Sequence, residues 1–144
     1  MLESGEPREV HHFAVLLGYG VEAVNPYLVF ETLEAMSHRN EIPVDARGAG
    51  KQFSKAIGKG LLKILSKMGI STLQSYCGAQ IFEAIGLSQA FIDKYFTHTM
   101  SRVGGVGIEV IAQEVAVRHD RAFGKKPAGD NELEAGGEYQ WRRD

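Results

Sequence analysis

Five histidines, one cysteine and two glycine-rich stretches are the parts of this chain from which chemistry could be built. His11 and His12 are adjacent on a predicted helix, so their side chains project about 100° apart and cannot chelate one metal together. His38, His98 and His119 have no companion ligand at a spacing such as His-Glu-x-x-His, so no metal site is expected. Cys77 has no neighbour in the sequence that would activate it, and a nucleophilic role is not expected. The carboxylates Glu83, Glu109, Glu114 and Asp120 fall on polar helix faces rather than as a pair in apolar surroundings, which gives no support to general acid–base catalysis.

The glycine-rich stretches are read in the same way. "GKG" at 58–60 lacks the strand before it and the Gly-Lys-Ser/Thr after it that a phosphate loop requires, and it lies within a helical stripe. Its glycines are expected to serve close helix packing. "RVGGVG" at 102–107 precedes a long helix whose first N–H groups could hold an anion, with Arg102 adding charge. A turn whose glycines serve backbone geometry is the simpler expectation.

The elements that must position these residues follow from hydrophobic periodicity. Val10, Phe13, Ala14, Leu16 and Leu17 form a helical stripe stopped by Gly18 and Gly20. Asn25 and Pro26 are expected to cap and open a second helix that ends near Asn40. Pro43, Gly48 and Gly50 make 41–50 a predicted loop. Over 51–68, Phe53, Ile57, Leu61, Ile64 and Met68 recur at steps of three and four, and Lys51, Lys55, Lys59, Lys63 and Lys67 make a polar flank. That flank is most simply a solvated face. Gly69 ends this helix, "ISTLQSY" reads as strand-like, and "GAQIFEAIGL" reads as a helix closed by Gly86. Ser88 is expected to cap the next helix, "THTMSRVGGVG" to be an extended piece plus a turn, and the segment from Ile108 to Phe123 to be the last strong helix.

Five or six helices with only one or two short strands leave two readings, a mostly helical domain or a piece cut from a larger α/β protein, because a stand-alone doubly wound sheet needs more strands. Composition is that of an ordinary soluble domain, with 44% hydrophobic and 24% charged residues and a net charge of −2, which argues against nucleic acid or an acidic membrane as partner. A single cysteine forms no internal disulfide and suits a reducing, cytoplasmic setting. The charged N-terminus is no signal peptide, and no apolar run approaches the ~20 residues that cross a bilayer.

Four stretches carry a resemblance to a known family: "REVHHFAVLLGYGVEAVNPYLVFETL", "KAIGKGLLKILSKMGISTLQSYCGAQIFEAIGL", "SRVGGVG" and "GGEYQWRR". In this order they closely resemble the large subunit of glutamate synthase, from about residue 8 to residue 143. The resemblance implies the fold class, α/β, a helix-rich fragment with one or two short strands that is part of a larger α/β multidomain enzyme, with residues 1–123 as the C-terminal part of the central domain and 124–144 as a polar connecting tail toward the FMN-binding domain. Both chain ends fall inside the length of such subunits, which leads us to expect a fragment.

Such enzymes hydrolyse glutamine, pass the ammonia through an internal tunnel and add it to 2-oxoglutarate. FMN then reduces the imine to glutamate, with electrons from NAD(P)H through a reductase subunit, or from ferredoxin, by way of a 3Fe-4S cluster. The resemblance implies that the catalytic cysteine, the FMN barrel and the cluster cysteines lie outside these residues. No catalytic, cofactor or metal site is then expected here, and the fragment alone is expected to be inactive. Its implied partners are the glutaminase domain and the FMN barrel. Ser71, Thr72, Gln74 and Tyr76 are the residues expected near a channel wall. The alternative is a free-standing, non-catalytic interaction module of the same fold, docking through its lysine face and tail.

Overall fold

The computed structural model describes residues 1–124, and the tail expected at 124–144 therefore lies, apart from Gly124, outside the described residues. Three helices form the first packing unit: α1 (Val10–Gly18), α2 (Tyr27–His38) and α3 (Ala46–Met68). Phe53 of α3 sits edge-on between Phe13 of α1 and Phe30 of α2, with ring centroids 6.0 and 6.1 Å apart. Ala14, Val29, Ala49 and Leu65 are the buried apolar residues of these helices. A short parallel pair, β1 (Leu2–Glu3) with β2 (Val24–Asn25), closes one end.

The second unit begins with the single turn α4 (Leu73–Tyr76) and continues as β3 (Glu83–Leu87), α5 (Gln89–Tyr95), β4 (Met100–Val106) and α6 (Ile108–Phe123). β3 and β4 pair in parallel, Glu83 opposite Met100 and Leu87 opposite Val106, with irregular register between. This is a strand–helix–strand–helix order. Parallel strands are normally buried on both faces. Here, however, Ile85 is 71% and Val103 54% exposed. No residue of α6 is buried, although the helix carries Ile108, Val110, Val115, Val117 and Phe123.

Four elements differ from the sequence expectation, each for a local reason. Asn25 does not cap α2: its backbone belongs to β2, its side-chain amide donates to Glu3 Oε2 at 2.8 Å, and Pro26 occupies the cap position. The predicted loop at 41–50 holds the first turn of α3, because the Asp45 carboxylate accepts from Gly48 N at 3.0 Å and so supplies a start signal. "ISTLQSY" contains a helical turn in place of a strand, since Thr72 Oγ1 accepts from Ser75 N at 3.3 Å. "GAQIFEAIGL" ends in strand β3 and is not a helix: Gly78 and Gln80 take left-handed backbone (φ 71° and 54°), and β4 supplies a pairing partner. A fully apolar short strand and a buried helix share the same local pattern, so only pairing separates them.

Other helix signals hold, while Glu83, expected on a polar helix face, lies in β3. α3 ends in a left-handed Gly69, Ser88 accepts from Phe91 N at 3.3 Å, and α6 spans the predicted segment. The five lysines of α3 are all exposed. None of them enters an ion pair among the described residues.

Candidate functional site

The stretch around 71–77 was expected to lie near a channel, and its side chains have separate fates. Ser71, Thr72 and Gln74 are exposed. Thr72 Oγ1 is occupied as the α4 cap and also meets Ser75 Oγ at 2.9 Å. Tyr76 is 1% exposed, its ring edge-on to Phe82 at 6.4 Å, and its hydroxyl has no hydrogen-bond partner among the described residues. Three of the four residues thus lie on the surface, and Tyr76 lies beneath it.

A buried hydroxyl without a partner keeps its desolvation cost and returns nothing. Tyr76→Phe is therefore expected to stabilise the chain by about 1 kcal/mol in urea unfolding. A loss of stability would show that the hydroxyl has an acceptor after all. Burial, and then the neighbouring Cys77, push the phenol above its ordinary value of 10.0. In the unfolded chain the phenol ionises near its ordinary value, while the folded chain still holds the proton. Stability should accordingly be fully present below about pH 10 and decline as pH rises toward the folded value. Tyr76→Phe should remove that decline.

Cys77 is half-buried, and its thiol donates to Leu17 O at 3.2 Å, a structural contact between α4 and the end of α1. His12 Nδ1 accepts from the backbone N–H groups of Arg8 and Glu9 at 3.1 and 3.3 Å, closing the start of α1. Sequence reasoning missed this role, although a polar side chain three residues into a helix is its usual signal. His38 lies 3.7 Å from Glu34, and His119 4.0 Å from Asp120. No three His, Cys, Asp or Glu side chains come together as a metal site among the described residues.

Both glycine stretches have steric explanations. A Cβ on Gly60 would lie 2.5 Å from Val10, so this glycine sets the approach of α1 to α3, whereas Gly58 faces open space. A Cβ on Gly105 would lie 2.2 Å from the Gly86 carbonyl oxygen, so backbone touches backbone between β4 and β3. At the start of α6, the Glu109 carboxylate lies 2.8 Å from where a Gly107 Cβ would stand, which places a negative charge where an anion was considered.

Two concavities stand out among the described residues. An open groove of about 440 Å³ runs along α6, past Val110, Val117 and Arg118. A cleft of about 330 Å³ lies where the turns at 18–20, 78–82 and 97–99 meet. The turns are tied together by Gly78 N donating to Gly18 O at 2.8 Å and by Tyr19 Oη and Thr99 Oγ1, also 2.8 Å apart. Phe82, whose ring would collide with a Cβ on Gly18, stacks near Tyr19 with centroids 6.2 Å apart. Neither concavity contains a nucleophile beside a base among its described lining residues.

Comparison with known proteins assigns the family. The model of the glutamate synthase central domain matches residues 1–88, ending just beyond β3. The glutamate synthase (NADPH) large chain of Bacillus subtilis is 46% identical over 142 residues, which are 99% of this chain and 9% of that protein. The glutamate synthase (NADH) of Saccharomyces cerevisiae is 44% identical over 152 residues, covering 99% of this chain and 7% of that protein. Ferredoxin-dependent glutamate synthase 1 of Arabidopsis thaliana is 43% identical over 145 residues, covering 90% and 9%. The chain thus spans less than a tenth of the length of each of these relatives. With the family model matching well over half of it and these relatives matching nearly all of it, the chain belongs to the glutamate synthase central-domain family.

Proposed function

We propose that this chain is the non-catalytic segment of a glutamate synthase that joins the end of the central domain to the FMN-binding domain, and that it has no activity by itself. The whole enzyme would form glutamate from glutamine and 2-oxoglutarate, with FMN and the 3Fe-4S cluster held elsewhere in it. The single cysteine of this chain does not fit a cluster held by several thiolates. A cytoplasmic setting suits that cysteine content. The observation that carries the reading is the uncovered apolar surface of β3, β4 and α6, since a parallel pair with both faces open asks for further layers. Glutaminase and FMN-binding domains of the same enzyme are the natural occupants. On this reading Ser71, Thr72, Gln74 and Tyr76 wall the ammonia channel, supported by the exposure of the first three. Tyr76 would contribute from beneath.

Relatives named for NADPH, NADH and ferredoxin match this segment at 46%, 44% and 43% identity. That near-equality supports an electron-donor choice made outside it. The test is reassembly: a glutamate synthase large chain lacking this segment is mixed with the 144-residue chain. We expect no glutamate formation and no tight FMN binding from the chain alone, and recovery of activity on mixing. Tight FMN binding by the isolated chain would overturn the reading, as would a deleted enzyme that works equally well without it.

A further inference from the structure

The cleft between the turns at 18–20, 78–82 and 97–99 is unused by the function proposed above, and its backbone is unusual. Only three non-glycine residues among those described have positive φ, and two of them, Gln80 (54°) and His98 (68°), line this cleft. Gly20 and Gly78 line it too, at 89° and 71°. Left-handed backbone in residues with a side chain is unfavourable and persists where surrounding structure enforces it, often at ligand clamps. The enforcing contacts here are the Gly78–Gly18 hydrogen bond, the Tyr19–Thr99 hydroxyl pair and the packing of Phe96 edge-on to Tyr19 at 5.4 Å.

The cleft offers unpaired backbone donors and no negatively charged side chain among its described lining residues. The backbone N–H groups of Gln80, Thr97 and His98 have no acceptor among the described residues, whereas the neighbouring Gly78, Ala79 and Thr99 N–H groups are paired. No carboxylate is among the described lining residues, and His98 is the one lining side chain able to carry positive charge. Phe82 and Tyr19 provide an apolar wall. Turns that present successive free N–H groups form anion-binding concavities. A cleft of about 330 Å³ suits a molecule of a few carbons.

We propose that this cleft binds a small free carboxylate, held by the N–H groups of Gln80, Thr97 and His98 and by the His98 imidazole, with its carbon chain against Phe82. The backbone strain at Gln80 and His98 keeps those donors in place before the ligand arrives. This inference does not depend on the chain's role in a larger enzyme.

Glutarate is the probe and its neutral diamide, glutaramide, the control, titrated into the 144-residue chain while backbone amide resonances are followed. Saturable shifts at Gln80, Thr97 and His98 with glutarate are expected, with glutaramide about tenfold weaker because it forfeits charge-assisted hydrogen bonds. Gln80→Gly and His98→Gly keep the chain folded, since glycine accepts the left-handed backbone without strain. Each should raise Tm yet weaken glutarate about fivefold or more, Gln80→Gly because a released turn no longer holds its donors in place, and His98→Gly because the imidazole is lost as well. The proposal is overturned if glutarate produces no saturable shift, if glutaramide binds equally well, or if both variants raise Tm with affinity unchanged.

Discussion

Gly105→Ala is expected to separate β4 from β3 and to cost about 3 kcal/mol, read as a lower midpoint in urea unfolding. The reason is backbone contact. The added methyl would stand 2.2 Å from Gly86 O, 2.5 Å from Gly86 C and 2.8 Å from Gly86 Cα. A flexible side chain could swing away from such an intrusion, but a strand backbone can yield only by breaking its ladder. Gly86 itself has φ 79°, so its own conformation limits how it can retreat. Gly104, one residue earlier, faces open space, and Gly104→Ala is the matched control with a much smaller effect. Equal loss in the two variants would show that helical or loop entropy, rather than contact with Gly86, is being measured.

Ile92→Ala is expected to destabilise the second unit by about 2–5 kcal/mol through lost burial and the cavity left behind. Ile92 is 1% exposed and is the one residue of α5 that is buried. Residues buried as fully are few: Tyr76 and Ala14 share its 1% exposure, and only six apolar residues are buried at all among those described. A unit with so thin a core has little to absorb the loss. Urea unfolding of the variant, beside Val115→Ala as an exposed reference (50% exposed), checks the contrast. If Val115→Ala proved equally costly, α6 would be covered in solution and the open face described above would be wrong. On the function proposed above, adding the rest of a glutamate synthase should narrow the contrast by burying α6.

Local chemistry announced much of this architecture. The 3–4 spacing of Phe53, Ile57, Leu61 and Ile64, with Gly69 beyond, predicts α3 because a helix brings those positions to one side and a left-handed glycine ends it. The same holds for Ser88 before α5 and for the stripe of α6. The long low-degeneracy stretches around 8–33 and 55–87 likewise carried the family, which the comparisons then showed.

Other features depended on partners distant in sequence. Strand β3 and a buried helix have the same apolar pattern, and only β4, more than a dozen residues later, makes the extended form the better one by accepting its backbone hydrogen bonds. Asn25 had the right chemistry for a cap, yet Glu3 and β1 claimed it. The cleft could not be read locally at all, because its three turns come from residues 18–20, 78–82 and 97–99 and acquire meaning when packed together. What the sequence determined alone was therefore the helices with their own stripes and caps, and the family. The tertiary structure decided which apolar segments pair as strands, which glycines mark backbone contact and which faces remain uncovered, because those depend on long-range hydrogen bonding and burial that no local window contains.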